Sequence, residues 1–175
     1  MKPKTTSDWK QWHKEFREFL SSIPMDKYRE LREIKTVEQD LPKELNPLPW
    51  IYKFYYPEEE KPTFPEFEEF FEKYWQSNLV HIEKFIRKYF YGCSLQFVYE
   101  GFKARLWRTW ISLLTQFDFA YLWNDLFGTN TFLEASAELD MQGLDGLIHF
   151  SLERRIGIQI KKISYRREAS QRRFA

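Results

Sequence analysis

The 175-residue sequence lacks several features that would point directly to a function. Its one cysteine, Cys93, permits no disulfide within the chain. It has no run of about 18 apolar residues, the length that a membrane span needs, and no charged segment followed by an apolar one, as in a signal peptide. With six glycines it has no glycine-rich phosphate loop, and no serine or cysteine nucleophile stands in a known motif. We therefore expect a soluble, cytoplasmic protein with no membrane contact.

The charges of the chain are balanced in total but unevenly placed. The formal net charge is +1, yet residues 57–72 carry seven glutamates, and residues 152–175 carry eight lysines or arginines against two glutamates. A basic end of this kind favours an anionic partner. Since 43% of the residues are hydrophobic, the chain can form a substantial core, and we predict one domain over residues 1–175.

Most of the first 127 residues are predicted to be helical. Apolar residues recur every three or four positions after Ser7, and the segment 95–127 is apolar on nearly every side, as in a buried central helix. A dense set of prolines between 42 and 62 instead predicts an ordered but irregular connector. After "GTN" at 128–130 the composition becomes strand-like. The predicted helices cover residues 7–24, 26–33, 65–75, 78–90 and 95–127.

Residues 144–161 are predicted to form a β-hairpin, because apolar and polar residues alternate along both strands. Pairing the two apolar faces places Asp145 opposite or diagonal to Gln159 and Lys161, provided that the turn lies within Ser151 to Arg155. Three polar groups are therefore expected to converge on one face. The apolar faces are Leu144, Ile148 and Phe150 on the first strand, with Leu147 as an exception, and Ile156, Ile158 and Ile160 on the second.

The order Asp145, Gln159, Ile160, Lys161 resembles the layout of metal-dependent nucleases of the PD-(D/E)xK type. In such enzymes a carboxylate and a second oxygen ligand hold Mg²⁺, and the lysine stabilises the nucleophile and the charge that gathers on phosphorus. The Ile160 carbonyl is a further candidate ligand. Leucine stands here in place of the proline, and glutamine in place of the acid. Any solvent-facing hairpin with these polar residues would match the pattern, so a solvated face is the alternative interpretation.

Asp140 is a candidate for the carboxylate that the pattern lacks at Gln159. Asp140 and Asp145 are five residues apart, so in an unbroken strand they would point to opposite faces. A bulge or turn at Gln142 and Gly143 would bring both to one side. We therefore predict that the two aspartates form one metal site.

Other polar residues are candidates for DNA contacts or for the site. Basic side chains after the hairpin suit phosphate contacts, which give salt-dependent affinity without sequence choice, although a solvated tail is the alternative. His149 shares the predicted face of Asp145 and is a further candidate for a DNA contact. Gln116 and Asp118 lie on the central helix, which in such nucleases lies under the sheet and sometimes contributes an acid. The basic residues are Lys162, Arg166, Arg167, Arg172 and Arg173.

Several stretches together resemble a specific family, the TaqI-type type II restriction endonucleases. The resemblance covers about residues 26 to 162, and it implies Mg²⁺-dependent cleavage of DNA at the palindrome TCGA. The family's two active-site aspartates, five residues apart, match Asp140 and Asp145, and Lys161 matches its catalytic lysine. The stretches are "IKTVEQDLPKELNPLPWIY" at 34–52, "RLWRTWISLLTQFDFAY" at 105–121, "EASAELDMQGLDGLI" at 134–148 and "IGIQIKK" at 156–162.

The expected fold is an α/β chain in which a helical N-terminal half, residues 1–127, supports a small mixed β-sheet that begins the restriction-endonuclease-like core in residues 128–175. Members of the family continue where this sequence ends in "SYRREASQRRFA", so the resemblance implies a C-terminally truncated and incomplete core. A two-fold symmetric DNA site implies a homodimer, and a TCGA-cutting enzyme implies a cognate methyltransferase that protects the host. The alternatives are a DNA-binding remnant that does not cut and a PD-(D/E)xK nuclease of other specificity.

Overall fold

The computed structural model describes residues 6–161, in which six α-helices precede or interrupt three short strands. Between the first two helices lie three short 3₁₀ segments, Met25–Tyr28, Glu30–Arg32 and Lys43–Leu45. None of the helices in this part of the chain is long and apolar enough to cross a membrane. In chain order the elements are α1 (Thr6–Ser22), α2 (Leu48–Tyr55), α3 (Phe67–Ser77), α4 (Leu79–Tyr89), α5 (Leu95–Phe127), β1 (Phe132–Glu134), α6 (Ala137–Met141), β2 (Gly146–His149) and β3 (Arg155–Ile158).

The central helix predicted over residues 95–127 is confirmed as α5. It begins after Ser94, whose hydroxyl accepts a hydrogen bond from the Phe97 amide at 3.2 Å. Trp107, Trp110 and Phe117 are fully buried on α5, and α1 packs along the same helix. A helix that is apolar on most sides is stable only when other elements surround it, which is what α1, α2 and α3 do here.

The proline-rich connector is irregular as predicted, but it contains one helix that the sequence did not predict, α2. Pro49 occupies the first turn of α2, where a missing backbone N–H costs nothing. The segment before α2 is fastened to the central helix by two arginines. Arg105 donates to the carbonyls of Val37 and Gln39, and Arg108 donates to the Ile34 carbonyl. These two guanidinium groups therefore stabilise the packing of this segment against α5.

The sheet differs from the mixed sheet that the sequence predicted. Its strands follow the order β1-β2-β3, and both pairs are antiparallel in the part of the chain that the structure describes. The predicted parity of the hairpin is confirmed, since Ile148 pairs with Ile156 and Gly146 pairs with Ile158. Strand β3 ends at Ile158, two residues earlier than the isoleucine alternation suggested.

Strand β1 is attached to α5 through a buried amide. The Asn124 side chain donates to the Leu133 carbonyl at 2.9 Å and accepts from the Leu133 amide at 2.8 Å. It also donates to the Tyr56 hydroxyl at 2.9 Å, which in turn donates to the same Leu133 carbonyl. Asn124 therefore fixes β1 to the helical part, close to the start of α6.

Candidate active site

Asp140 lies on the short helix α6, and not on a strand interrupted by a bulge. The helix begins after Ser136, whose hydroxyl accepts from the Leu139 amide at 3.3 Å. It ends in a Schellman turn, in which the Gly143 amide donates to the Asp140 carbonyl and the Leu144 amide donates to the Leu139 carbonyl. Gly143 has a φ of 83°, which favours glycine. The predicted turn at 142–143 is present, and it redirects the chain from Asp140 towards β2.

Asp145 lies immediately before β2, and both of its carboxylate oxygens accept hydrogen bonds. Oδ2 accepts from the backbone amide of Ile160 at 2.5 Å, two residues after the end of β3. Oδ1 accepts from Gln116 Nε2 at 3.1 Å, on the central helix. The carboxylate is therefore held between the hairpin and α5.

The two aspartates interact electrostatically, and Tyr52 of α2 is within reach of both. The Tyr52 hydroxyl donates to Asp140 Oδ2 at 3.3 Å. Burial raises the pKa of Asp140; the hydrogen bond from Tyr52 opposes this rise, and the negative charge of Asp145 adds to it. Burial also raises the pKa of Tyr52, and the charges of Asp140 and Asp145 raise it further. The phenol is therefore neutral and remains a donor at physiological pH.

The donor set suits Mg²⁺, which binds through one or two carboxylates and completes its shell with water and substrate phosphates. Two half-buried carboxylates that repel each other, as the raised pKa of Asp140 indicates, would be stabilised by a cation between them. Within residues 6–161, no group of three His, Cys, Asp or Glu side chains is arranged to hold a metal ion. Asp140 and Asp145 are the carboxylates that would hold the ion.

The other residues of the predicted pattern follow β3. Gly146 pairs with Ile158, and Asp145 and Gln159 are the next residues beyond that pair. The exposed Gln159 side chain donates to the Gly143 carbonyl at 3.0 Å. Lys161 is exposed. Ile160 contacts Asp145 through its backbone N–H, whereas the sequence suggested its carbonyl as a ligand.

The candidate DNA contacts are only partly within the described chain. His149 lies within hydrogen-bonding distance of Glu134 on the neighbouring strand, with 2.7 Å between His149 Nε2 and Glu134 Oε2. Of the two central-helix candidates, Gln116 reaches Asp145, whereas Asp118 pairs with Arg17 at 2.8 Å. The predicted phosphate-binding residues Lys162, Arg166, Arg167, Arg172 and Arg173 lie outside the described residues.

Tyr52 is the residue of the site that sequence reasoning missed. It lies within the proline-rich run, in a segment predicted to be irregular, and no local pattern connects it with an aspartate 88 positions away. The only indication of its role in the sequence was its position at the end of residues 34–52, one of the stretches that carry the family resemblance.

A pair of half-buried carboxylates, one before a strand and one on the preceding helical turn, is a donor set used by metal-dependent hydrolases. The chain belongs to the TaqI restriction endonuclease family, whose model matches residues 13–174. It is 52% identical over 162 residues to the type II restriction enzyme TaqI of Thermus aquaticus, a match that covers 91% of this chain and 60% of that enzyme. It is 50% identical over 156 residues to the type II restriction enzyme TthHB8I of Thermus thermophilus, covering 88% of this chain and 58% of that enzyme. The chain thus spans about 60% of the length of these curated relatives. No solved structure matches it.

Proposed function

We propose that this chain is a type II restriction endonuclease that hydrolyses phosphodiester bonds of double-stranded DNA at TCGA in a Mg²⁺-dependent reaction. The observation that carries the proposal is that Asp140 and Asp145 are both half-buried and interact electrostatically, in a member of the TaqI family. The names of its relatives, both type II restriction enzymes, support the same reaction.

Asp140 and Asp145 are the proposed ligands of Mg²⁺, which when bound lowers the pKa of a coordinated water and polarises the scissile phosphate. The chain's own contribution is to hold the two carboxylates in place. The Ile160 amide and the Gln116 side chain fix both oxygens of Asp145. Lys161, three residues after β3, is the proposed cation for the negative charge on phosphorus.

Gln159 and the Ile160 carbonyl stay in the proposal as further oxygen ligands. Gln159 would have to release the Gly143 carbonyl to take part, and the exposure of its side chain permits that movement. Substrate binding is one event that can provide the driving force for such a rearrangement.

Double-stranded DNA is the proposed partner, with Lys162, Arg166, Arg167 and His149 as proposed contacts. Basic side chains near the cleaved phosphate would supply the salt-dependent part of the affinity. A homodimer is proposed because each DNA strand needs a catalytic centre. A cytoplasmic location and a cognate methyltransferase in the same system complete the proposal.

The test is digestion of a plasmid of known sequence by the purified 175-residue chain with Mg²⁺ and with EDTA, followed by sequencing of the cut ends. We expect cuts confined to TCGA that require Mg²⁺. Asp140→Asn and Asp145→Asn should each abolish cleavage, because each removes one charge from the pair. Glu138→Gln, an equal loss of charge at an exposed position on the same helix α6, is the matched control and should cleave normally. Full cleavage by Asp140→Asn would contradict the proposal, and cuts at other sequences would identify a nuclease of other specificity.

DNA binding without cleavage is the alternative to this proposal. In that case the folded chain would retard DNA in a gel with or without Mg²⁺, and the plasmid would remain intact. Cleavage by the chain would exclude this alternative.

A further inference from the structure

Two side chains from outside the hairpin each donate one hydrogen bond to one of the paired carboxylates. Tyr52 Oη lies 3.3 Å from Asp140 Oδ2, and Gln116 Nε2 lies 3.1 Å from Asp145 Oδ1. The two donors belong to α2 and α5, which pack against each other. The ring of Tyr52 meets the ring of Phe117, the neighbour of Gln116, edge to face with centroids 4.8 Å apart. The donors are therefore fixed relative to each other by core packing.

We propose that Tyr52 and Gln116 are positioning residues, which hold Asp140 and Asp145 in the orientation that binds one divalent cation. The proposal rests on the function proposed above. It assigns a role to the helix of the proline-rich connector, which delivers one donor, and to the central helix, which delivers the other.

The hydroxyl of Tyr52 is difficult to explain by packing alone. The side chain is 5% exposed, and its ring contacts would be made equally well by phenylalanine. Burying a hydroxyl is unfavourable unless it is hydrogen-bonded. Its bond in the described chain is to Asp140, so the hydroxyl is accounted for by that carboxylate.

The amide of Gln116 leads to the same conclusion. Its Oε1 is buried without a hydrogen-bond partner among residues 6–161, which is a cost that methionine or leucine would avoid. Its Nε2 donates to Asp145. The hydrogen bond to Asp145 therefore explains why a polar side chain occupies this position.

The two bonds leave acceptor capacity on both carboxylates for a cation. Asp140 accepts from Tyr52 through Oδ2. Asp145 accepts one bond on each oxygen, and each carboxylate oxygen has a further lone pair. Partners that orient metal ligands in this way typically change metal affinity or activity by about 10–100-fold when they are removed.

The test compares Tyr52→Phe and Gln116→Met with the wild-type chain, with Gln116→Leu as a second variant at that position. Tyr55→Phe is the matched control for the first, because Tyr55 is a buried tyrosine of the same helix whose hydroxyl donates to the Pro65 carbonyl. Gln96→Met is the control for the second. It removes a bond from a glutamine to the carboxylate of Glu100 on the same helix α5.

Two quantities would be measured after thermal unfolding has shown that each variant folds. The first is the dissociation constant of Mn²⁺ for the DNA-free protein, by titration calorimetry. The second is the Mg²⁺ concentration that gives half the maximal cleavage rate at saturating DNA. We expect both to rise about ten-fold in Tyr52→Phe and in the Gln116 variants. Both should stay within two-fold of wild type in Tyr55→Phe and Gln96→Met.

The outcomes separate the positioning role from the proposed function. Site variants that bind Mn²⁺ as tightly as wild type and need no more Mg²⁺ would overturn the positioning role. A wild-type chain that binds Mn²⁺ but does not cleave would overturn the proposed function, and calorimetry of the variants would still decide the positioning role. If the wild-type chain cleaves but binds Mn²⁺ only with DNA present, the positioning role is decided by the Mg²⁺ concentration that each variant needs for half-maximal cleavage. A wild-type chain that neither binds Mn²⁺ nor cleaves overturns both.

Discussion

Replacing Asn124 should destabilise the protein far more than the loss of one polar side chain from a helix usually does. Asn124 is fully buried and forms three hydrogen bonds, two with the backbone of Leu133 and one with the Tyr56 hydroxyl. In Asn124→Ala the Leu133 carbonyl keeps the hydrogen bond from Tyr56, but the Leu133 amide loses the partner that Asn124 provides.

The magnitude follows from these groups. A buried donor without a partner costs about 1–3 kcal/mol, and the cavity left by the amide adds roughly 1 kcal/mol. We expect a loss of about 3 kcal/mol in the free energy of unfolding, which for a chain of this size lowers Tm by about 6–12 °C. Tyr56→Phe leaves both backbone groups of Leu133 paired with Asn124 and should cost only about 1 kcal/mol.

Urea denaturation followed by circular dichroism measures these differences, and Asn124→Leu tests the reasoning. Leucine has the same number and branching of side-chain heavy atoms as asparagine, although it is bulkier, and it cannot pair with the Leu133 amide. If hydrogen bonding is the cause, Asn124→Leu will be destabilised by about 2 kcal/mol or more. Stability of Asn124→Leu within about 0.5 kcal/mol of wild type, the range of a neutral substitution, would refute the reasoning.

Three further changes have defined expected results. Gly101→Ala should lower the free energy of unfolding by about 1–2 kcal/mol in urea titrations, because its Cβ would lie 2.8 Å from Thr36 Cβ; an unchanged midpoint would contradict this contact. Burial acts to raise the pKa of Glu68, but Lys103 at 2.6 Å and Lys27 at 3.3 Å together outweigh it and lower the pKa. The ionised Glu68 therefore stabilises the protein above the ordinary glutamate pKa, and this stability is lost as the pH falls through the lowered pKa. Wild type should have a higher Tm than Glu68→Gln at pH 7, and the difference should vanish in acid. A difference that persists in acid would contradict this. Burial raises the pKa of Asp140, so its ionised form opposes folding. Asp140→Asn should therefore raise Tm at pH 7.5 but not at a pH below the ordinary aspartate pKa. A lower Tm for Asp140→Asn at pH 7.5 would contradict this.

The helical half could be predicted from the sequence where a pattern extends over many residues. The bounds of α5 agree with the predicted 95–127 because a serine cap precedes the helix and apolar residues cover most of its sides. The parity of the hairpin agrees because the isoleucines at 156 and 158 alternate with other residues. The type and bounds of a long periodic segment can therefore be predicted from its sequence alone.

Short elements and distant contacts could not be predicted in this way. Helix α2 has eight residues and a proline in its first turn, so proline density concealed it. Helix α6 has five residues, too few to show a helical period, so the sequence predicted a bulge or turn after Asp140 but no helix. Gln159 bonds the Gly143 carbonyl in the turn after α6, a contact that the alternation along the hairpin does not reveal.

The arrangement of the site explains why the resemblance is spread over separate stretches of the chain. The 34–52 stretch ends at Tyr52, the 105–121 stretch contains Gln116, and the last two contain the aspartates and the Ile160 amide. Each stretch thus brings at least one hydrogen-bonding group to the carboxylates, although the groups are far apart in sequence. The connector reaches the site because Arg105 and Arg108 fasten it to α5 upstream of α2. Weakening that attachment should therefore disturb the carboxylates through Tyr52, even though neither arginine touches them.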